Sequence, residues 1–377
     1  MRFADIPGHE TVKARLRDMA GTGRVPHALL LEGPEGSGKF ALARAFAQYL
    51  HCSRPVGGEP CGHCPSCMQH QALNHIDTLY SFPYIKKESG GTTIADDYRK
   101  LFDEFITESP MMDFQMWREK LGKDNAQPQI LVDEGEELIR RLGFMTRRSK
   151  YKIVLLWLPE RLKEETANKL LKLIEEPSSD TVFIMTSDNS RGIIPTIYSR
   201  VQRIEVPRYS NAEISAILRS SGFDAVTSEE AARLSDGNVN MALRIAAGDG
   251  ESNVNSLYFD MFVSLTRLAY AKKVAELRQW SVDAAALGRE SSIKFLAYCC
   301  HLARESYLYK LNVEELRMMS TNEKAFINRF HPFINEKNVE DFIELFDRSA
   351  RDIAANANAK IIFFDIAVRT IMLLRRK

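Results

Sequence analysis

The sequence predicts an α/β domain built on a phosphate-binding-loop turn and a parallel sheet, carrying a four-cysteine metal knuckle. A small helical domain and an all-helical tail follow it. Three observations carry this. An apolar run at 27–33 leads into the glycine-rich loop "GPEGSGK" and then into a helical pattern with Phe40, Ala43, Phe46 and Leu50 on one side. Short apolar runs at 75–82, 151–157, 181–187 and 201–206 alternate with helical patterns, as strands buried in a parallel sheet do. Beyond 210 no strand-like run recurs, and everything to Lys377 reads as helix.

The first run and loop give strand, glycine turn, helix, which is the context a phosphate loop requires. Gly33, Gly38 and Lys39 fit the pattern, but Phe40 stands where a Ser or Thr hydroxyl would hold Mg²⁺. Next come Cys52, Cys61, Cys64 and Cys67, spaced C-x8-C-x2-C-x2-C. Clustered thiols at two-residue gaps in a reducing compartment read as metal ligands, and four of them saturate a tetrahedral zinc. The expectation is structural zinc within a 52–67 module, with His63 outside the ligand set. Cys299 and Cys300, in "FLAYCCHLA", read as core residues.

Between about 83 and 128 the alternation breaks, and this stretch reads as an insertion. Its segment 94–108 is amphipathic, with Ile94, Tyr98, Leu101, Phe102 and Phe105 together. Two readings stay open at this point: a helical hairpin packed on the host domain, or a partner surface rich in Met and aromatics. The pattern resumes with the strand at 151–157, a helix over 163–176 stopped by Pro177, and the strands at 181–187 and 201–206. Domain boundaries follow at 1–206, 207–249 and 250–377.

A net charge of +1 excludes a global basic field for nucleic acid, so any DNA work is local or through partners. No apolar run is long enough for a membrane span, and "MRFADIPGHE" lacks the apolar core of a signal peptide, so the expected location is cytoplasmic. The cysteine knuckle itself offers Arg54 and His63 but no aromatic stacking platform, which argues against a zinc-dependent DNA-binding module.

The motifs "HALLLEGPEGSGK", the four-cysteine knuckle, "ANKLLKLIEEP" and "PTIYSRVQRIEV", in that order, resemble the gamma/tau/delta-prime family of bacterial DNA polymerase III clamp-loader subunits, of the AAA+ class. The likeness covers roughly the first 250 residues apart from the insertion, and the tail fits that family's helical collar. It implies that the nucleotide site here is degenerate. Trp157 and Leu158 stand where the family's two Walker B acids are expected, and Asn240 where its sensor arginine is expected. Together with Phe40, that leaves weak nucleotide binding or none at Gly33, Gly38 and Lys39, and no Mg²⁺. The same resemblance makes Arg200, after Ser199 and before Val201, an arginine finger directed at a neighbouring subunit. The chain is therefore closer to the delta-prime branch than to the gamma/tau ATPase branch. Implied partners are gamma/tau-type ATPase subunits and a delta subunit, with the sliding clamp and primed DNA reached through the complex. The alternative is an active gamma/tau-like ATPase with variant ligands, Glu160 among them.

Overall fold

The computed structural model describes residues 1–87, 91–122, 127–144, 149–176, 180–248, 251–312 and 319–376. The chain divides into two compact units, Met1–Leu243 and Arg244–Lys377. In the first, five parallel strands form one sheet in the order β2-β3-β4-β1-β5. They are β1 (Ala28–Glu32), β2 (Thr78–Ser81), β3 (Lys152–Trp157), β4 (Thr181–Ser187) and β5 (Gln202–Glu205). The central strands are buried on both faces, which explains why they read as unbroken apolar runs. Alternation does the sorting: Leu29, Leu31, Ile153 and Leu155 enter one core layer, while Leu30, Val154, Leu156 and Phe183 enter the other.

One layer is covered by α1 (Glu10–Gly21) and α2 (Lys39–His51), the other by α6 (Val132–Phe144), α7 (Glu164–Glu175) and α8 (Pro195–Tyr198). The cysteine knuckle follows α2 and includes α3 (Pro65–Gln71). The insertion carries α4 (Arg99–Glu108) and α5 (Phe114–Lys120). Its neck is closed by a pair of backbone hydrogen bonds between Tyr84 and Gln129, at 3.1 and 3.0 Å. Those bonds bracket the stretch that breaks the strand–helix alternation in the sequence.

Of the two readings of the insertion, the packed one describes these helices. Phe102, Phe105 and Trp117 are buried in the same core layer as α2 and β3. The Trp117 indole N–H donates to Pro83 O at 2.7 Å, so the polar edge of that buried ring is satisfied. Helix α6 has no counterpart among the elements singled out from sequence. Its buried side contains an acid, Glu134, beside Leu138 and Leu142, and that interrupts the apolar period. The first unit continues past β5 through α9 (Asn211–Ser220), α10 (Ala225–Leu234) and the start of α11 (Val239–Ala247).

The second unit consists, among the described residues, of helices: α12 (Glu251–Tyr270), α13 (Val274–Ala285), α14 (Arg289–Lys310), α15 (Thr321–Phe330), α16 (Val339–Ala354) and α17 (Ala359–Leu373). Helix α14 packs on α16, and α13 on α17, around Phe262, Phe295, Phe342, Phe346 and Phe363. Ser320 and Glu323 form a capping box at the start of α15. Cys299 is buried in this core, whereas Cys300 is only partly buried and turns its thiol toward Asp347. Among the described residues no helix is long and apolar enough to cross a membrane.

Glu134 ties the insertion to its host: its carboxylate accepts from the Ala95 amide at 2.7 Å while 3% exposed. Burial pushes its pKa from 4.5 up to about 7. A raised carboxyl pKa means the folded state holds the proton more tightly, so the stabilisation is present at low pH and is lost as pH rises from 4.5 through about 7. Glu134→Gln keeps an acceptor for Ala95 and removes the titration. Urea unfolding at pH 5 and pH 8 should show the wild type losing on the order of 2 kcal/mol relative to the variant. A constant difference between the two proteins would show that Glu134 does not titrate in this window.

Candidate functional site

In an open parallel sheet, ligands collect at the carboxyl ends of the strands. Here those ends bring together the 33–38 loop after β1, Leu158 after β3 and Asp188 after β4. The loop's shape is kept for structural reasons. A Cβ on Gly33 would lie 2.1 Å from Val206 O, so only glycine lets β1 leave the sheet this close to the chain beyond β5. Gly38 caps α2 with φ 75°, a left-handed conformation natural to glycine.

Phe40 and Trp157 do more than lack metal-binding atoms. Both rings are 3% exposed, lie 6.3 Å apart and share Phe102 of the insertion, at 6.1 and 5.9 Å. Phe82 stacks on Phe102 at 3.6 Å, and Phe105 reaches Trp157 at 6.0 Å. The sequence positions at which the family resemblance expects Mg²⁺ ligands are thus part of an aromatic core. Leu158 is also buried, with its amide donating to Thr186 O at 2.9 Å.

The polar groups of the loop have internal partners. The Lys39 ammonium is 5% exposed and pairs with Asp188 at 2.7 Å; it also donates to Pro34 O and to Ser37 Oγ. His9 Nε2 donates to Ser37 O at 2.9 Å. Burial lowers the pKa of His9, which favours the neutral ring; it lies 4.3 Å from the Tyr209 ring, tilted by 48°. Asn240, which the family resemblance sets at a sensor position, donates from Nδ2 to Met112 O at 3.3 Å, so it contacts the insertion. The Phe114 amide donates to Glu35 Oε1 at 3.3 Å, and the Met111 sulfur lies against Gly38. Residues 111–114 therefore lie along the loop.

A cavity of about 400 Å³ opens beside the loop, lined by Glu35, Phe114, Leu158, Glu160, Arg161 and Asp188. Three carboxylates make it a poor host for a polyphosphate. Glu160 accepts from the Asp188 and Asn189 amides at 2.9 and 3.0 Å, so it pins the chain after β4. Burial raises its pKa.

Ser199 and Arg200 lie just beyond α8 at an exposed edge of the same unit. Arg200 Nη1 donates to Thr196 O at 2.7 Å and to Ser199 Oγ at 3.3 Å, and its Nε pairs with Glu175 at the end of α7. Side chains of both members of that pair are about two-fifths exposed, at 39% and 42%.

The four knuckle thiols come together with every Sγ within 4.8 Å of the others. Cys61 and Cys67 are 4.0 Å apart, near the ~3.8 Å edge of a tetrahedron with 2.3 Å metal–sulfur bonds. Amide donors turn toward sulfur, from Cys61 to Cys52 at 3.2 Å and from Cys64 to Cys61 at 3.4 Å. Burial alone pushes Cys64 up, but hydrogen bonds from Cys67 and Ser53 outweigh it and bring the thiol down to about 6. Burial pushes Cys67 up to about 12. Four thiols this close cannot all ionise without a cation among them, so the donor set fits a metal. His63 is outside the cluster, its Nδ1 donating to Cys61 O at 2.8 Å. A second cluster, His51, His70 and His75, escaped the sequence reading; it follows no motif spacing, and only the fold joins it.

Comparison with known proteins gives consistent family names. A family model described as "DNA polymerase III, delta subunit" matches residues 8–210. A Pseudomonas aeruginosa protein named DNA polymerase III subunit delta' is 31% identical over 185 residues, 48% of this chain and 43% of that protein. One from Haemophilus influenzae with the same name is 31% identical over 191 residues, 50% of this chain and 45% of that protein. A Mycobacterium tuberculosis DNA polymerase III subunit gamma/tau is 28% identical over 224 residues, 58% of this chain and 32% of that protein. The matched stretch spans a third to just under half the length of these relatives. A solved DNA polymerase III gamma subunit-related protein of Thermotoga maritima aligns over 96% of this chain and 99% of its own, at 14% identity and a TM-score of 0.38, too low to carry weight.

A hydroxyl introduced at position 40 would still face the buried rings of Trp157 and Phe102. Phe40→Ser should give no nucleotide hydrolysis by the isolated chain above background. It should cost about 3–5 kcal/mol of stability, because a buried ring is exchanged for a cavity and a polar group. Denaturant unfolding and a phosphate-release assay measure both. Turnover that appears in the variant and disappears with Lys39→Ala would overturn this reading of the site.

Proposed function

Because the chain belongs to the DNA polymerase III delta-subunit family, a clamp-loader family, we propose that it is a delta-prime-type clamp-loader subunit that does not hydrolyse ATP itself. It supplies Arg200 to the nucleotide site of a neighbouring gamma/tau-type ATPase while a sliding clamp is loaded on primed DNA. The observation that carries this is the packing of Phe40 and Trp157 against Phe102. Phosphoryl transfer depends on metal ions and positioned charges, and the expected metal position here holds rings. The alternative, an active ATPase with Glu160 as a variant metal ligand, is disfavoured because Glu160 is held by two backbone amides.

The division of labour follows. Residues 1–206 serve as an AAA+ scaffold, 207–249 as a lid, and 250–377 as a collar joining the subunits. Support for the collar comes from α17. It buries Phe363, Ile366 and Leu373 in its own unit, yet leaves Ile361 69% and Met372 57% exposed, with Val368 between them. A helix apolar on both sides calls for a second apolar surface. Part of the collar is internal: Ile327, Phe330 and Ile334 of "FINRFHPFI" are buried in the core of the second unit. The delta subunit completes the proposed partners, and the proposed location is the cytoplasm.

In the free chain Arg200 is held by Glu175, and its task in the complex is to exchange that carboxylate for a neighbour's γ-phosphoryl group. Guanidinium suits this because its planar fork matches phosphoryl oxygens and stays charged. Arg200→Ala should leave folding and assembly unchanged and slow the neighbouring site by several orders of magnitude, about 10³–10⁵ in other NTPases. Arg200→Lys should rescue poorly. The test is DNA-stimulated ATPase of the reconstituted complex, with assembly checked by gel filtration. Equal rates would mean that Arg200 only pairs with Glu175.

The cysteine cluster is proposed to hold a structural zinc through Cys52, Cys61, Cys64 and Cys67, with no open position for chemistry. Replacing Cys64 and Cys67 by serine should remove one zinc per chain and lower the melting temperature of the first unit, since metal affinity is coupled to folding. Metal analysis with calorimetry measures both. Undiminished zinc content would refute the ligand assignment.

A further inference from the structure

We propose that His51, His70 and His75 form a second metal site in this chain, one that takes a divalent d-block cation of the zinc class through imidazole nitrogen. The three rings come from separate segments. His51 ends α2, His70 is in α3, and His75 is in the turn before β2. Each is 4–5% exposed, and each offers a nitrogen within 4.8 Å of the other two. Three neutral imidazoles are a ligand set that zinc and its neighbours accept.

The hydrogen bonds say which nitrogens are available. Tyr151 O is 2.9 Å from His51 Nε2, and a carbonyl only accepts, so Nε2 carries the proton. That leaves the lone pair of His51 on Nδ1, which faces His70 Nε2 at 2.9 Å. Two imidazole nitrogens face each other across one proton. A cation can take the proton's place if they part to about 3.3 Å, the edge of a tetrahedron with ~2.05 Å bonds. The bond from His51 to Tyr151 is the kind of outer contact that fixes the tautomer and aim of a metal-binding histidine.

His75 is the ring that must move. It stacks on His51 at 4.2 Å and on His70 at 4.5 Å, so it must turn edge-on to share a cation. Its present holds are long: the Asp77 amide donates to Nδ1 at 3.2 Å, and Ser149 Oγ lies 3.4 Å from Nε2. Ser149 in turn donates its amide to Asp77 Oδ2 at 2.7 Å. Asp77 is wholly buried beside His75, so an acidic side chain is in place near the site whose carboxylate would offset part of a bound cation's charge.

The neighbouring cysteine cluster strengthens the case. A divalent ion among four thiolates leaves two negative charges. The same ion among three neutral imidazoles, with one carboxylate nearby, leaves one positive charge. His51 precedes Cys52, and His70 is three residues after Cys67 on α3, so the two sites would be adjacent and their residual charges opposite. Zinc at the histidines would tie the end of α2, the knuckle helix and the turn before β2 into one unit.

The test uses the full chain, saturated with zinc and dialysed against metal-free buffer. Two zinc ions per chain are expected. His70→Ala should reduce the count to one, and serine at Cys64 and Cys67 should also reduce it to one, by removing the other ion. Cobalt substitution separates the sites: sulfur-to-cobalt charge-transfer bands belong to the cysteine site and should survive His70→Ala. If that variant fails to fold, by circular dichroism, His75→Gln takes its place at the loosely held ring. One zinc per chain in the wild type, unchanged by a folded histidine variant, overturns the proposal. The triad would then be a hydrogen-bonded stack without metal.

Discussion

The contact on which most of this structure depends is the meeting of Phe40, Trp157 and Phe102. It joins the start of the loop helix, the end of a central strand and the inserted helix pair. Burying a ring of this size is worth about 2–3 kcal/mol, and three that share one pocket must be made or lost together. Once rings fill that space, neither hydroxyl nor carboxylate can occupy it. The neighbouring polar groups then need partners from within the chain. Lys39 finds Asp188, and Asn240 finds a carbonyl of the insertion. Each contact has the chemistry of a nucleotide contact, an ammonium on an anionic oxygen or an amide on an acceptor, with protein in place of the ligand.

This explains why the insertion is where it is. A hairpin bearing Phe102, Phe105 and Trp117 needs an apolar seat, and Phe40 at the start of the loop helix and Trp157 at the strand end provide one. Its polar backbone at 112–114 then lies along the loop, where Asn240 and Glu35 meet it. The rings at 40 and 157 that offer no metal-binding atom are the same rings that seat the insertion.

What the sequence disclosed depended on how local the signal was. Strands β1, β3 and β4 were legible because both of their faces are buried, so every residue carries the message. The cysteine knuckle was legible because three of its four thiols are separated by two residues, a spacing with one dominant chemistry. Helix α6 was not, because the buried Glu134 breaks its apolar stripe, and the reason for that acid lies at Ala95, 39 residues away. The histidines at 51, 70 and 75 form no motif, since they meet only when a helix end, a knuckle helix and a turn converge. For the insertion the sequence disclosed an apolar helix face but not its destination, because aromatics read alike whether they pack inward or await a partner.

Two cations that the family resemblance directs at nucleotides survive here, and their surroundings differ in a way that bears on function. Lys39 is 5% exposed and its partner Asp188 is anchored after β4. Separating that pair would strand a buried charge, which typically costs 3–5 kcal/mol. Arg200 is paired too, but with Glu175 at a surface where both side chains meet water. Exposed pairs of that kind are worth about 0–1 kcal/mol. A phosphoryl group with two or more negative charges can therefore displace Glu175 at little cost, whereas nothing of comparable strength waits to displace Asp188. The inward cation is locked and the outward one is exchangeable. Burial alone produces that asymmetry, and it is the asymmetry that the proposed role requires, in which the chain's own loop stays occupied by protein while Arg200 is offered to a neighbouring site.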